Sequence, residues 1–137
     1  MNQASIKNNI GKIHLKQHNF QKSLELFNDA LKTLEAINYL SGYAVVLNNI
    51  GESLLNLCRY EEAEIHFNRA LKIQRDTGGL HYEQLTRKNR VLLFKARGEI
   101  EYAIEEFRLA LDIAKSLNTI HIEEFEHEIA ELNTIGP

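Results

Sequence analysis

The sequence predicts an all-α protein of three successive antiparallel helix pairs with one further helix behind them, and three observations predict it. Written in rows of 40 residues (5–44, 45–84 and 85–124, with 125–137 left over), the chain repeats its own chemistry: Ala30, Ala70 and Ala110 align, each followed by Leu31, Leu71 or Leu111 and preceded three residues earlier by Phe27, Phe67 or Phe107. Other columns hold Ser23, Ala63 and Ala103; Phe20, Tyr60 and Ile100; and Gly11, Gly51 and, as an exception, Val91. The second observation is spacing. Steps of three, four and seven residues place one apolar stripe on each segment, as helices do. The third is punctuation by Asn38, Gly78 and Asn118, residue types that tolerate the left-handed backbone ending a helix, each followed two residues later by Leu40, Leu80 or Ile120.

Taken in order, each row opens with a first helix, expected at about 3–17, 42–57 and 82–97. A short turn at His18, Cys58 or Gly98 reverses the chain into a second helix, Phe20 to Ile37, Tyr60 to Thr77 and Ile100 to Leu117. The small columns have a packing reason: glycine or alanine at a crossing lets two helix axes approach to the short end of the usual ~8–10 Å, and phenylalanine fills the remaining gap. Val91 predicts a wider crossing in the third pair. The last helix is expected over about 120–133, stacked beside the helix at 82–97. Together the rows make one domain over 1–137.

Bulk properties bound the function. The chain has 137 residues, enough for one compact domain, and a net charge of −3 from 16 basic and 19 acidic residues, so it carries no nucleic-acid-like bias as a whole. Cys58 is the only cysteine, which leaves no intramolecular disulfide and fits a reducing compartment, with the cytoplasm as the default. The opening MNQASIKNNIGKIH lacks a cationic start followed by an apolar run, and no stretch approaches the ~20 apolar residues that span a bilayer. No targeting signal and no membrane partner are expected.

The small-residue, aromatic and alanine pattern, read in NNIGESLLNLCRYEEAEIHFNRAL and its two counterparts, resembles the tetratricopeptide repeat over about residues 5–124. The 40-residue rows exceed the usual ~34, and the proline that commonly closes a repeat is replaced by Glu35, Arg75 and Lys115. Such elongated rows are similar to those of kinesin light chain and of bacterial receptors for signalling peptides. QRDTGG at 74–79 also resembles repeat ends in bacterial sensors and regulators. The resemblance implies a right-handed α-solenoid of three repeat pairs plus a C-terminal capping helix, with the first helix of each pair lining a concave groove.

Groove-facing columns would then be Ser5, Val45 and Leu85; Asn8, Asn48 and Lys88; Asn9, Asn49 and Asn89; Lys12, Glu52 and Leu92; and Leu15, Leu55 and Lys95. Asparagine is a mediocre helix former, so its threefold use in mid-helix asks for a reason. A side-chain amide offers donor and acceptor together and can satisfy the backbone of an extended peptide. With first helices ~10 Å apart and a ligand rising ~3.3 Å per residue, successive asparagines would meet the ligand about every third residue. In the resembling peptide receptors an asparagine of this column holds ligand backbone. The alternative reading is structural: the amides bond neighbouring helices and fix the array. The carboxylate clamp of co-chaperones is not matched, because its positions hold Asn8, Lys12, Leu85 and Asn89, with only Asn49 in agreement.

The third row departs from the others. From Gln84 to Gly98 it carries Arg87, Lys88, Arg90, Lys95 and Arg97 and no acid, while the chain end supplies Glu123, Glu124, Glu126, Glu128 and Glu131. Those carboxylates are expected to neutralise the bases, a reading preferred over nucleic-acid binding. Catalytic constellations are thin. His14 and His18 are four apart, but their columns are core and turn; His121 and His127 do not share a helix face; Cys58 lacks a histidine partner. No metal, cofactor or enzymatic activity is expected. The function read from the sequence is a scaffold holding a peptide or protein segment in a regulatory or signalling assembly. A structural self-association module, a homo-oligomer formed through exposed solenoid ends, is the alternative. A third reading makes the chain part of a larger regulator.

Overall fold

The computed structural model describes residues 2–118 and 122–135. Among these there are seven helices and no strand: α1 Gln3–Lys16, α2 Phe20–Ala36, α3 Leu40–Asn56, α4 Tyr60–Asp76, α5 Leu80–Ala96, α6 Ile100–Leu117 and α7 Ile122–Ile135. They belong to two compact units, one running through Thr77 and one starting at Gly78.

Punctuation is stricter than the sequence columns imply. His18, Asn38, Cys58, Gly78, Gly98 and Asn118 all have positive φ, between 52° and 75°, so every twentieth residue reverses the chain. Asparagine and glycine suit that conformation; for His18 and Cys58 it costs roughly 1–2 kcal/mol, set against the hydrogen bonds it allows. The N–H groups of Asn19, Tyr39, Arg59 and Glu99 donate to the carbonyls of His14, Leu34, Leu54 and Phe94, satisfying the last turn of each preceding helix. α3 and α5 start at Leu40 and Leu80, two residues before the expected 42 and 82, because these leucines begin the next helix rather than merely follow the cap. Ile120, the third of that set, lies outside the described residues.

In the first unit α2 packs on both α1 and α3, and α3 packs on α4. The repeat columns form its interior: Phe27, Ala30, Phe67, Ala63 and Ala70 are fully sealed. Gly11 and Gly51 are the close-approach positions. A Cβ at Gly11 would lie 2.6 Å from Cε1 of Phe27, and one at Gly51 would meet Phe67 closer still, so each ring occupies the space a side chain would need.

In the second unit α6 packs on α5 and α7 around Val91, Phe94, Ala103, Phe107, Ala110, Ala114, Phe125 and Leu132. Here the terminal helix corrects the row arithmetic. The buried positions Ala44, Leu47, Gly51 and Leu54 of α3 correspond, 80 residues on, to Glu124, His127, Glu131 and Thr134. The residues that α7 turns to the core are Ile122, Phe125, Ile129 and Leu132, two places earlier. Burial of apolar side chains, worth ~1.5–3 kcal/mol each, overrides the 40-residue register. The start expected for this helix, at about 120, lies outside the described residues.

Candidate functional site

Between Ala44 and Leu55 of α3, only Val45, Asn48, Asn49, Glu52 and Leu55 are half-buried, and every other residue is buried. These five are the columns the sequence assigns to one exposed face. On α1 the matching residues Ser5, Asn9 and Lys12 are exposed, with Asn8 and Leu15 half-buried. The two faces meet through a side-chain bond: Nδ2 of Asn49 donates to Oδ1 of Asn8 at 2.9 Å. A primary amide has two N–H groups and a carbonyl with two acceptor sites, so this single bond uses part of the capacity of either side chain. Ser53, one turn beyond Asn49, meets Ser23 of α2 at 2.8 Å in a buried hydroxyl pair. Asn8, Asn9, Lys12, Asn48, Asn49 and Glu52 thus lie on neighbouring helix faces within one unit.

The second unit places its candidates differently. Lys95 is exposed and Lys88 half-buried, but Asn89 is only 9% exposed, whereas Asn9 is exposed. Nζ of Lys88 pairs with Oε1 of Glu124 at 3.0 Å and stands 6.0 Å from the centre of the Phe125 ring. That is the α5–α7 neutralisation the sequence predicts, realised at Lys88.

Arg87 and Arg90 are neutralised otherwise. Arg87 reaches Glu83 at 2.9 Å and Glu106 at 3.0 Å, and Arg90 reaches the other oxygen of Glu106 at 2.8 Å. Arg97 pairs with Glu99 at 3.5 Å. Two guanidiniums and two carboxylates form a charge-balanced group in which Glu83, Arg87 and Glu106 are buried and Arg90 half-buried, and the Arg90 guanidinium also stacks 5.2 Å from the Phe94 ring centre. Burial pushes the Glu106 carboxyl above the usual glutamate range, and Arg90 and Arg87 pull it part of the way back. For Arg87 and Arg90 this corrects the expectation that the chain-end carboxylates neutralise them: their partners are Glu83 of α5 and Glu106 of α6. The available signal was a double departure in one row: Arg90 replaces Ile10 and Ile50, and Glu106 replaces Leu26 and His66.

The remaining chemical candidates are scattered. His14 is half-buried with its Nδ1 3.4 Å from Nδ2 of Asn19; His18 and Cys58 sit exposed in left-handed turns; His127 pairs with Glu131 at 3.0 Å; His121 lies outside the described residues. Among the described residues no three His, Cys, Asp or Glu side chains converge as a metal site, and no helix is long and apolar enough to cross a membrane. A cavity of about 200 Å³ lies at the α2–α3 turn between Leu34, Glu35, Asn38, Tyr39, Leu40 and Tyr43.

Comparison with known proteins gives a consistent result. The profile described as tetratricopeptide repeat matches residues 2–76 and again 42–116. The Drosophila melanogaster protein "Tetratricopeptide repeat protein 19 homolog, mitochondrial" is 28% identical over 133 residues, covering 93% of this chain and 36% of its own length. Among solved structures, the apo form of RapI superposes with a TM-score of 0.85 at 16% identity, over 96% of this chain and 48% of that one. BtubC (BKLC) from P. vanneervenii gives the same score and identity, over 96% of this chain and 55% of its own. The chain therefore spans about a third of the curated relative and about half of each solved chain, and at these identities the solved structures share its fold.

Proposed function

This chain belongs to the tetratricopeptide repeat family, whose members generally serve as non-catalytic scaffolds for protein–protein interaction, and from that premise we propose that it holds an extended peptide or partner segment across the first-helix face of its first unit. The observation that carries the reading is the pattern on α3. A helix that buries every other position between Ala44 and Leu55 leaves Val45, Asn48, Asn49, Glu52 and Leu55 partly open, beside Asn8, Asn9 and Lys12 of α1. Amides there supply backbone donors and acceptors, while Lys12 and Glu52 offer opposite charges, so the face suits a polar segment of mixed charge. In the second unit the proposal rests on Lys88, Asn89 and Lys95 with less weight, because Asn89 is buried and Lys88 is held by Glu124. A regulatory or signalling role, in a compartment that keeps Cys58 reduced such as the cytoplasm, completes the proposal; the mitochondrial designation belongs to the fly relative.

Panning a random peptide library on the intact chain tests this. Peptides enriched by the wild type are expected to lose at least tenfold in affinity on Asn9→Ala/Asn49→Ala, with far-UV circular dichroism unchanged. Undiminished binding by the double variant overturns the reading. The Asn49–Asn8 bond favours a second reading, in which the amides serve the α1–α3 seam alone. In that case the double variant melts lower and peptide affinity does not depend on Asn9, which is exposed on α1.

A further inference from the structure

Helix α1 carries an apolar stripe that its own unit leaves open. Ile6, Ile10 and Ile13 are 43%, 41% and 53% exposed, and their spacing of four and three puts them on one helix face. Forty residues on, the same columns of α3 hold Val46, Ile50 and Ser53, exposed by 2%, 1% and 0%. One helix accounts for part of this difference. α2 packs on both α1 and α3, and on α3 it covers this column, with Ser23 against Ser53 at the contact. The stripe on α1 faces away from α2 and has no such cover among the described residues.

We propose that the Ile6, Ile10 and Ile13 stripe is a docking surface for an amphipathic helix of a partner protein, packed on α1 as α2 packs on α3. The chemistry of the partner follows from the residues it meets. Where α2 presents Ser23 to a serine, the incoming helix meets Ile13, which is bulkier and has no hydroxyl to return the bond. That position therefore takes alanine or glycine, as Ala63 and Ala103 do in the second helices of the other rows. The stripe is bordered by Lys7 on one side and Lys16 on the other, with no acidic residue anywhere in α1, so the partner helix carries Asp or Glu beside its apolar face.

A second copy of this chain fits less well. Contact between two α1 helices would set the lysines of one beside the lysines of the other, with no acidic residue on either helix to pair them. α7 has the acidic side chains, but its apolar stripe of Ile122, Phe125, Ile129 and Leu132 is already turned to the core of its own unit.

The probe is a labelled, lactam-locked helical peptide with the sequence of residues 20–36 and Ser23→Ala, which keeps the acidic Glu25, Asp29 and Glu35, titrated into the intact chain by fluorescence anisotropy. Saturable binding is expected. The double variant Ile6→Gln/Ile10→Gln, at two exposed positions and with a good helix former, is expected to weaken it at least tenfold with an unchanged melting curve. Ile65→Gln, at an exposed site on α4, leaves binding as it was. Absence of saturation, or equal affinity in the double variant, overturns the proposal. So does a dimer in sedimentation velocity that the double variant abolishes, which assigns the stripe to a second copy. Because Asn9 and Asn49 are unchanged throughout, this outcome is separable from that of the peptide-binding face.

Discussion

The two units solve one packing problem with different chemistry. In the first, helices close on each other through small and neutral groups: Gly11 and Gly51 against phenylalanine rings, a serine pair between α2 and α3, and a hydrogen bond from the Asn49 amide of α3 to the Asn8 amide of α1. In the second, Val91 takes the glycine column and the α5–α6 contact is built around Arg87, Arg90, Glu83 and Glu106. A steric interlock tolerates little added volume but loses little when a polar contact is removed. A buried charge group behaves in the opposite way, because a missing partner leaves desolvated charge behind. Equivalent columns are therefore expected to respond unequally to substitution, with the second unit sensitive to charge and the first to volume.

The largest effect is expected at Glu106. Glu106→Leu leaves the buried Arg87 and the half-buried Arg90 without the carboxylate they share and should destabilise the chain by ~3–5 kcal/mol in urea unfolding. The comparison sharpens with Glu83→Gln/Arg87→Leu/Arg90→Ile/Glu106→Leu, which adopts the Leu47, Ile50 and Leu26 of the other rows, leaves no buried carboxylate at position 83, and should recover most of the loss. A quadruple variant no more stable than the single one would sink the charge account. The pH dependence has a definite sign. With its carboxyl raised above 4.5, the folded chain holds the Glu106 proton more tightly than the unfolded chain does. Its contribution is complete below the unfolded value and declines as pH rises through the folded one. Stability measured against Glu106→Gln from pH 4 upward reads this difference.

Gly51→Ala comes next. Its Cβ meets the Phe67 ring, which is sealed on all sides and cannot swing away, so overpacking is expected to cost ~1–3 kcal/mol. Neutral behaviour of Gly51→Ala in a thermal melt would remove the steric half of the comparison.

These responses bear on how much of the molecule was legible beforehand. The second helices were readable nearly to the residue, α6 from Ile100 to Leu117 and α4 from Tyr60 to within one residue of its end at Asp76, because their alanine and phenylalanine columns are locally helical and tertiary packing agrees with them. The register of α7 was not. Counting 40 from α5 assumes that the repeat continues, whereas Ile122, Phe125, Ile129 and Leu132 define their own face two residues earlier. For the candidate site, the columns identified which α3 residues stay partly open, since a helix stripe fixes its complement. The alternative that the amides bond a neighbouring helix is realised between Asn49 and Asn8, but the columns did not foresee that Asn89 would be buried while Asn9 is exposed. That depends on what lies opposite, which a column does not contain.

The smallest expected effect tests whether charge matters in the second unit for its sign or for its burial. Lys88 and Glu124 form an ion pair at 3.0 Å, close to the 2.8–3.0 Å of the Glu106 contacts, but with side chains 40% and 46% exposed. Water screens both partners, and holding them together costs side-chain entropy, so Lys88→Ala is expected to lose only ~0–1 kcal/mol, and less at high salt. Geometry alone would rank it with Arg90. If Lys88→Ala instead costs as much as Glu106→Leu, burial is not what separates the two sets of contacts, and the Lys88 packing against the Phe125 ring must be the larger contribution at that position.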